Sequence, residues 1–497
     1  MSDRFSRQRG LLRQTVVEQI HLTLAPEDFP SSFVEAMTCL GEQLGAPPHS
    51  KTKAPGGFQV QWGPSSQLDE DRSSIRVNYG AEGIFLDGQE AGEPIDPVYE
   101  PAVSTLAACL VWSEILRRAE AYLPIEIPKI SVSVNVRVNE NSLYNNASQL
   151  KFTLDGHRVH QNIRDADDGT MHRRVLMRID DDDPLVHELI KKLNVHLPEQ
   201  TIEMRTPVLP LSLPPLKPDL HGHLSVVGAG GLGTWCLHTL VEGMKHAKTS
   251  DVRFLVFDKD LEIEEHNLNR QVIYGPEDVG STKIAATRRW LEQRLPNAHI
   301  ETAYELIDAM ARPVEEASND GIDLDDLFDS TPEINEVEED TLTVQDTITQ
   351  LESTDLVIGC LDAMRPRVLA NCIAAKQRVP YINGGVANFS GEYSQFTTTS
   401  LVDKYGPRVA QQTTVMSCQE DGAVPLSSMV LTNAFVGAFQ ALAALQRLSG
   451  YASSCIESAY WNAYENELFV QHADEHPFQD ASVEALNQAL WPDEVVE

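Results

Sequence analysis

From residue 219 onward, apolar and polar positions fall into blocks that alternate between the two periods of regular structure. Residues 223–227 form a short apolar run, a turn containing Gly228, Gly230, Gly231 and Gly233 follows, and residues 234–245 repeat with helical spacing. A second apolar run at 253–257 ends on Asp258. The same reading predicts helices over 282–294, 367–378 and 433–448, and strands over 355–359 and 381–384. Strands that alternate with helices pair in parallel, so the fold class is α/β, a doubly wound Rossmann-like and mostly parallel sheet.

The first half of the chain is less regular. Residues 102–118 predict an apolar helix, and residues 130–138 alternate like a half-buried strand. Between the halves, Pro207, Pro210, Pro214, Pro215 and Pro218 exclude helix and central strand, because each lacks an amide donor. The chain thus divides into a first domain at 1–206, a proline-rich linker at 207–218, a second domain at 219–450 and a tail at 451–497. One stretch breaks the pattern of the second domain: residues 313–364 hold sixteen acidic side chains and no Lys or Arg. Residues 313–350 read as a solvated insertion, with a docking surface for a basic partner as the sharper alternative.

Composition narrows the function classes. A chain of 497 residues that is 42% hydrophobic and 23% charged has room for two or three cores. Thirty-nine basic against 74 acidic residues give a formal charge of -35, which repels phosphate backbones and anionic membranes. No nucleic-acid or membrane partner is expected. Seven cysteines without a C-x-x-C pair, no signal-like N-terminus and no apolar run of about 18 residues point to reduced thiols in the cytoplasm.

The glycine turn alone suits ATP, NAD and FAD alike. Gly228 permits a tight bend, Gly230 lets backbone approach a phosphate or ribose, and Gly233 lets helix pack on strand. With Asp258 placed to accept from ribose hydroxyls, a dehydrogenase is the first reading. The following segment changes it: Asp258, Asp260, Asn267, Arg270 and Gln271, then Lys283, bring two cations and two amides close behind the ribose acid. Such donors suit a triphosphate better than a nicotinamide. Asp362, just past the strand at 355–359, adds a carboxylate fit to hold magnesium beside phosphates.

In order, GxGGxG, D-x-D, N-x-N-R-Q, G-x-x-K and L-D-x-x-x-x-R resemble the adenylation domain of the ubiquitin-activating/ThiF/MoeB superfamily over residues 219–450. The resemblance implies that Asp258 holds ribose, that Asn267, Arg270 and Lys283 contact the phosphates of ATP, and that Asp362 binds Mg2+. Two departures stand out. Ala363 follows Asp362 where the family often has Asn, and the paired cysteines of a structural zinc are missing, the tail reading Ala473 to Phe478, so no zinc is expected.

The N-terminus, Arg4-Phe5-Ser6-Arg7-Gln8, resembles the family's R-Y-x-R-Q opening, whose arginine reaches the partner subunit's ATP. Arg7 is therefore a candidate cation. Residues 101–117 are also similar to the helix at 433–448, which makes residues 1–206 a degenerate adenylation-like domain, a pseudo-dimer within one chain, with a further homodimer open. The alternative is an unrelated accessory domain.

Cys418 sits in a segment similar to the S-C-x-x-x-G-V of ThiF and MoeB, on a crossover loop at 388–418. A helix N-terminus favours a thiolate, so Cys418 is the candidate thioester nucleophile. By resemblance, the partners are a ubiquitin-like protein, activated at its C-terminal carboxylate, and a conjugating enzyme. Open alternatives are a sulfur-carrier adenylyltransferase, adenylation of another carboxylate, and a non-catalytic scaffold. A bacterial conjugation system with an antiviral role rests only on the unusual first half.

Overall fold

The structure, a computed structural model, describes Phe5, Gln8 and residues 11–472. It leaves out 25–28, 52–56, 64–72, 87–91, 124–148, 156–157, 165–170, 179–207, 218, 305–353, 398, 406–428, 452–453 and 465–466. The expected strand at 130–138, the whole acidic insertion at 313–350, Arg7 and Cys418 lie outside the described residues.

Two compact units emerge, one formed by residues 1–123 together with 206–497, the other by residues 124–205. In the first unit the chain runs through α1 (Gln14–Val17), β1 (Leu22–Thr23), α2 (Ser31–Leu44), β2 (Phe58–Trp62), β3 (Ser74–Gly80), β4 (Gly83–Phe85) and α3 (Glu100–Arg118). The second unit contributes an antiparallel sheet of β5 (Gln149–Asp155), β6 (Arg158–Arg164) and β7 (Met171–Arg178). The chain then forms β8 (Val208–Pro210), inside the proline-rich stretch. The first sheet has the order β1-β2-β3-β4-β8, parallel across its first three strands. β8 lies at its edge, where a proline without an amide hydrogen is tolerated.

The nucleotide-binding pattern occupies the larger sheet. It begins with β9 (Asp219–Val227), α4 (Gly231–Met244), β10 (Thr249–Asp258), α5 (Lys283–Arg294) and β11 (His299–Tyr304). β12 (Leu356–Gly359), α6 (Met364–Gln377), β13 (Tyr381–Val386) and β14 (Ser390–Phe396) follow. α7 (Leu401–Tyr405), α8 (Val430–Leu448), β15 (Ile456–Asn462) and β16 (Glu467–His472) complete it. The strand order is β11-β10-β9-β12-β13-β14-β15-β16. β11 through β13 are parallel, and β14 to β16 extend the sheet antiparallel.

Both faces are covered, as an apolar parallel sheet requires. On one face α6 and α7 bury Val368, Ile373 and Leu401 against Val227, Phe257, Val357 and Tyr381. On the other, α8 packs on α4 and on α3. α3 and α8 are each 19 residues long and buried along their length. Among the described residues, no helix is long and apolar enough to cross a membrane.

The order of strands places a crevice. The chain winds outward from β9 to β10 and β11, then returns to β12 on β9's other side, so β9 and β12 flank a topological switch point. In open α/β sheets ligands bind outside the carboxyl ends of such strands. Here those ends are Val227 and Gly359, joined by the Cys360 amide donating to the Val227 carbonyl at 2.8 Å.

Candidate active site

The glycine turn leaves β9 at this switch point. Gly228 has φ +101°, and a Cβ on it would stand 2.6 Å from the Cys360 carbonyl oxygen. A side chain is therefore excluded twice, by backbone conformation and by the neighbouring strand. Gly233 is excluded by the turn itself, since its Cβ would press on the Gly228 carbonyl oxygen. Gly230 differs: a Cβ there meets no atom within 4 Å, and the residue caps α4 in extended conformation. The turn therefore has an open side, next to the first amides of a helix, where an anion is favoured.

These geometries give separable outcomes. Gly228→Ala should destabilise the protein by about 1–3 kcal/mol through strained backbone and overpacking. Gly230→Ala should melt like the wild type, yet lose roughly tenfold or more in ATP affinity if the open side of the turn, which its methyl group enters, is where phosphate binds. Thermal melts paired with calorimetric titration of ATP check both.

Asp258 closes the floor. Its Oδ2 accepts from the Ala229 amide at 2.6 Å and its Oδ1 from the Asp260 amide at 2.8 Å, which ties the acid at the end of β10 to the glycine turn. Burial raises its pKa, Lys283 pulls it down and Asp260 pushes it up. The Lys283 ammonium, only 5% exposed, is ion-paired with Asp260. Burial works against its charge, but Asp258 and Asp260 outweigh that and hold its pKa above the usual value. Two carboxylates and one buried ammonium thus share a small volume at the carboxyl edge of the sheet.

Thr282 starts α5 by accepting from the Ala285 amide, which sets Lys283 in the first turn. Tyr274, which the sequence reading passed over, braces the arrangement: its hydroxyl reaches the Ala229 carbonyl at 3.0 Å, the Thr287 hydroxyl at 2.8 Å and the Lys283 carbonyl at 3.4 Å. One phenol therefore links the glycine turn to the helix carrying the lysine. No local pattern announces that role, since a buried tyrosine after a polar segment reads as core.

The segment Glu265–Asn269 is a 3-10 turn, closed by the Asn267 Oδ1 accepting from the Glu264 amide at 2.9 Å. Arg270 follows it, 6% exposed, donating from Nη1 to the His266 carbonyl at 3.0 Å and to Asn269 Oδ1 at 3.1 Å. A Cβ on Gly231 would meet Arg270 Cγ at 3.2 Å and Asn433 Oδ1 at 2.6 Å. Arg270 therefore runs alongside the glycine turn, and Asn433, another residue the sequence reading missed, contributes from α8. Gln271 is buried, and its Oε1 has no hydrogen-bond partner among the described residues.

Asp362 lies three residues beyond β12 and is exposed. Among the described residues no three His, Cys, Asp or Glu side chains converge to hold a metal. The exposed carboxylate of Asp362 is the donor that a nucleotide site here would offer Mg2+, which is commonly held by one or two carboxylates plus phosphate oxygens. Cys236, Cys360 and Cys372 are buried; a hydrogen bond with Cys360, and after it burial, pushes the Cys236 thiol up, and burial pushes the Cys372 thiol up, away from nucleophilic use. A cavity of about 310 Å³ lined by Ser250, Asp251, Arg253, Asn297 and His299 lies at the opposite, amino-terminal edge of β10 and β11.

A glycine turn, an acid at the end of β10 and buried cations at the switch point of a doubly wound sheet define a nucleotide-binding enzyme domain. The ThiF family profile matches residues 220–483, more than half of the chain, and the chain belongs to that family. It is 27% identical over 232 residues to the sulfur carrier protein adenylyltransferase of Thermus thermophilus, covering 45% of this chain and 68% of that protein. It is 24% identical over 249 residues to the adenylyltransferase and sulfurtransferase UBA4 of Meyerozyma guilliermondii, covering 49% of this chain and about half, 47%, of that protein. A crystal structure of E. coli MccB with MccA is similar at a TM-score of 0.34 and 16% identity, over 53% of this chain and 66% of that one. The crystal structure of PaaA gives 0.34 and 15%, over 51% and 73%.

Proposed function

We propose that this protein uses ATP to adenylate the C-terminal carboxylate of a small ubiquitin-like protein. The observation that carries the reading is the pair of buried cations, Arg270 against the glycine turn and Lys283 between Asp258 and Asp260. Hydride transfer has no use for them, whereas a triphosphate does.

In this reading the adenosine ribose hydrogen-bonds Asp258, and the α4 amides from Gly230 onward face the phosphates. The tail carboxylate, led past residues 383–389, attacks the α-phosphorus. The P–O bond to the β-phosphate breaks, pyrophosphate leaves, and an acyl adenylate remains. Arg270, Lys283 and Arg7 offset the charge that develops on the phosphate oxygens, each contact contributing about 3–4 kcal/mol to the transition state. Asp362 is the residue that would hold Mg2+, which would supply further charge neutralisation to the phosphates.

The Cys418 thiolate then attacks the acyl carbonyl, AMP departs, and the thioester passes to a cysteine of a conjugating enzyme. The packing of α3 on α8 supports the reading of residues 1–206 as an adenylation-like partner fused to the catalytic domain. The sulfur-carrier reading is favoured by the names of two relatives, and it shares every step up to the adenylate.

Cys418→Ala separates these steps. The variant should retain ATP–pyrophosphate exchange within about threefold and lose the thiol-sensitive adduct with the ubiquitin-like protein on non-reducing gels. Retention of that adduct would remove Cys418 from the reaction.

A further inference from the structure

Gln8 has no exposed surface. Its backbone carbonyl accepts from the amides of Leu11 and Leu12 at 2.8 and 2.9 Å, and Leu12 pairs with Tyr122 just past the end of α3. The residue is thus anchored in the first 123 residues. Its side chain points elsewhere: Nε2 donates to the Gln43 carbonyl on α2 at 2.8 Å and, more weakly, to the Asn269 carbonyl at 3.5 Å, 261 positions away. Asn269 is in turn the residue whose Oδ1 accepts from Arg270 Nη1. One amide therefore connects the N-terminal arm and α2 to one of the acceptors that hold the guanidinium, another being the His266 carbonyl.

A second observation separates this junction from ordinary packing. Gln8 Oε1, Gln43 Oε1 and Asn269 Nδ2 are all buried with no hydrogen-bond partner among the described residues. Each such atom costs stability, typically about 1–3 kcal/mol. An apolar junction would fold more stably, which sets this polar set apart from stabilising packing.

We propose that Gln8 is a positioning residue, which fixes Asn269 and through it the Arg270 guanidinium, so that the first half of the chain sets the triphosphate affinity of the second. The proposal rests on the reading of Arg270 as a phosphate ligand. It concerns the side chain of Gln8 alone and asks nothing of the residues before it.

The test is calorimetric titration of the full-length wild type, Gln8→Met, Arg270→Ala and the double variant, with magnesium ATP and separately with AMP. Met keeps the volume of Gln and removes the donor. Gln8→Met should weaken ATP about tenfold and leave AMP within about twofold, a split that general loosening would not produce. In the Arg270→Ala background, Gln8→Met should have no further effect, because the two act on one contact. Equal weakening of ATP and AMP, full additivity with Arg270→Ala, or wild-type affinity in Gln8→Met would overturn the assignment and leave the proposed function standing. A wild type that binds no ATP would overturn both. If Gln8→Met does not fold, Gln8→Ala takes its place, and failure of both to fold would contradict the proposal, since the amide would then hold the fold and not the guanidinium.

Discussion

Asp362→Ala should melt within about 0.5 kcal/mol of the wild type, as exposed substitutions usually do, and should lose about 10²–10³-fold in ATP–pyrophosphate exchange. The asymmetry follows from position. Asp362 is exposed at the carboxyl edge of the sheet, two residues past Cys360, whose amide closes the switch point, so removing its carboxylate disturbs little packing. What it removes is negative charge at the place where phosphates are expected. Magnesium titration supplies a reading independent of the protein substrate: addition of Mg2+ should raise ATP affinity in the wild type and have little effect in the variant. Exchange within threefold of wild type would take Asp362 out of the metal role.

Lys283→Ala carries the opposite signature, because stability and activity should fall together. Removing a nearly buried ammonium leaves Asp258 and Asp260 without their shared counter-charge, a loss of about 3–5 kcal/mol for a broken buried pair against 1 kcal/mol or less for an exposed one. The pH dependence has a definite sign. Burial already holds the Asp258 pKa above its unfolded value, and loss of Lys283 raises it further. A carboxyl whose folded pKa is raised costs stability while ionised, and the cost fades as pH falls through the folded value toward the unfolded one near 4. The deficit of Lys283→Ala relative to wild type should therefore be larger at pH 8 than at pH 5 in urea melts. A deficit below 1 kcal/mol at both pH values would contradict the buried triad.

How much of this was legible in the sequence differs from residue to residue. β9, the glycine turn, α4 and β10 ending on Asp258 were readable because period, glycine spacing and the terminal acid agree at every level. Only the boundary moved: α4 starts at Gly231 and not at 234, because the glycine amides already join the helix, as the Thr234 amide donating to the Gly230 carbonyl shows. The antiparallel extension β14–β16 was not read, since sheet edges of this kind depend on partners and carry weak local signals. The first sheet was missed for a similar reason: β1 has two residues and β4 three, too few to display a period. Within the site, Asp258 and the glycines announce themselves by spacing. Tyr274 and Asn433 do not, and although Asn269 and Gln8 stand within quoted motifs, their contacts across the chain were not readable there.

The central claim is that the crevice between β9 and β12 binds a magnesium-complexed triphosphate. Calorimetric titration of the full-length chain with ATP and with NAD, each with and without Mg2+, tests it most directly. Saturable ATP binding that strengthens with Mg2+, with no heat from NAD, is the expected result; NAD binding, or no magnesium-dependent ATP binding, would contradict the account.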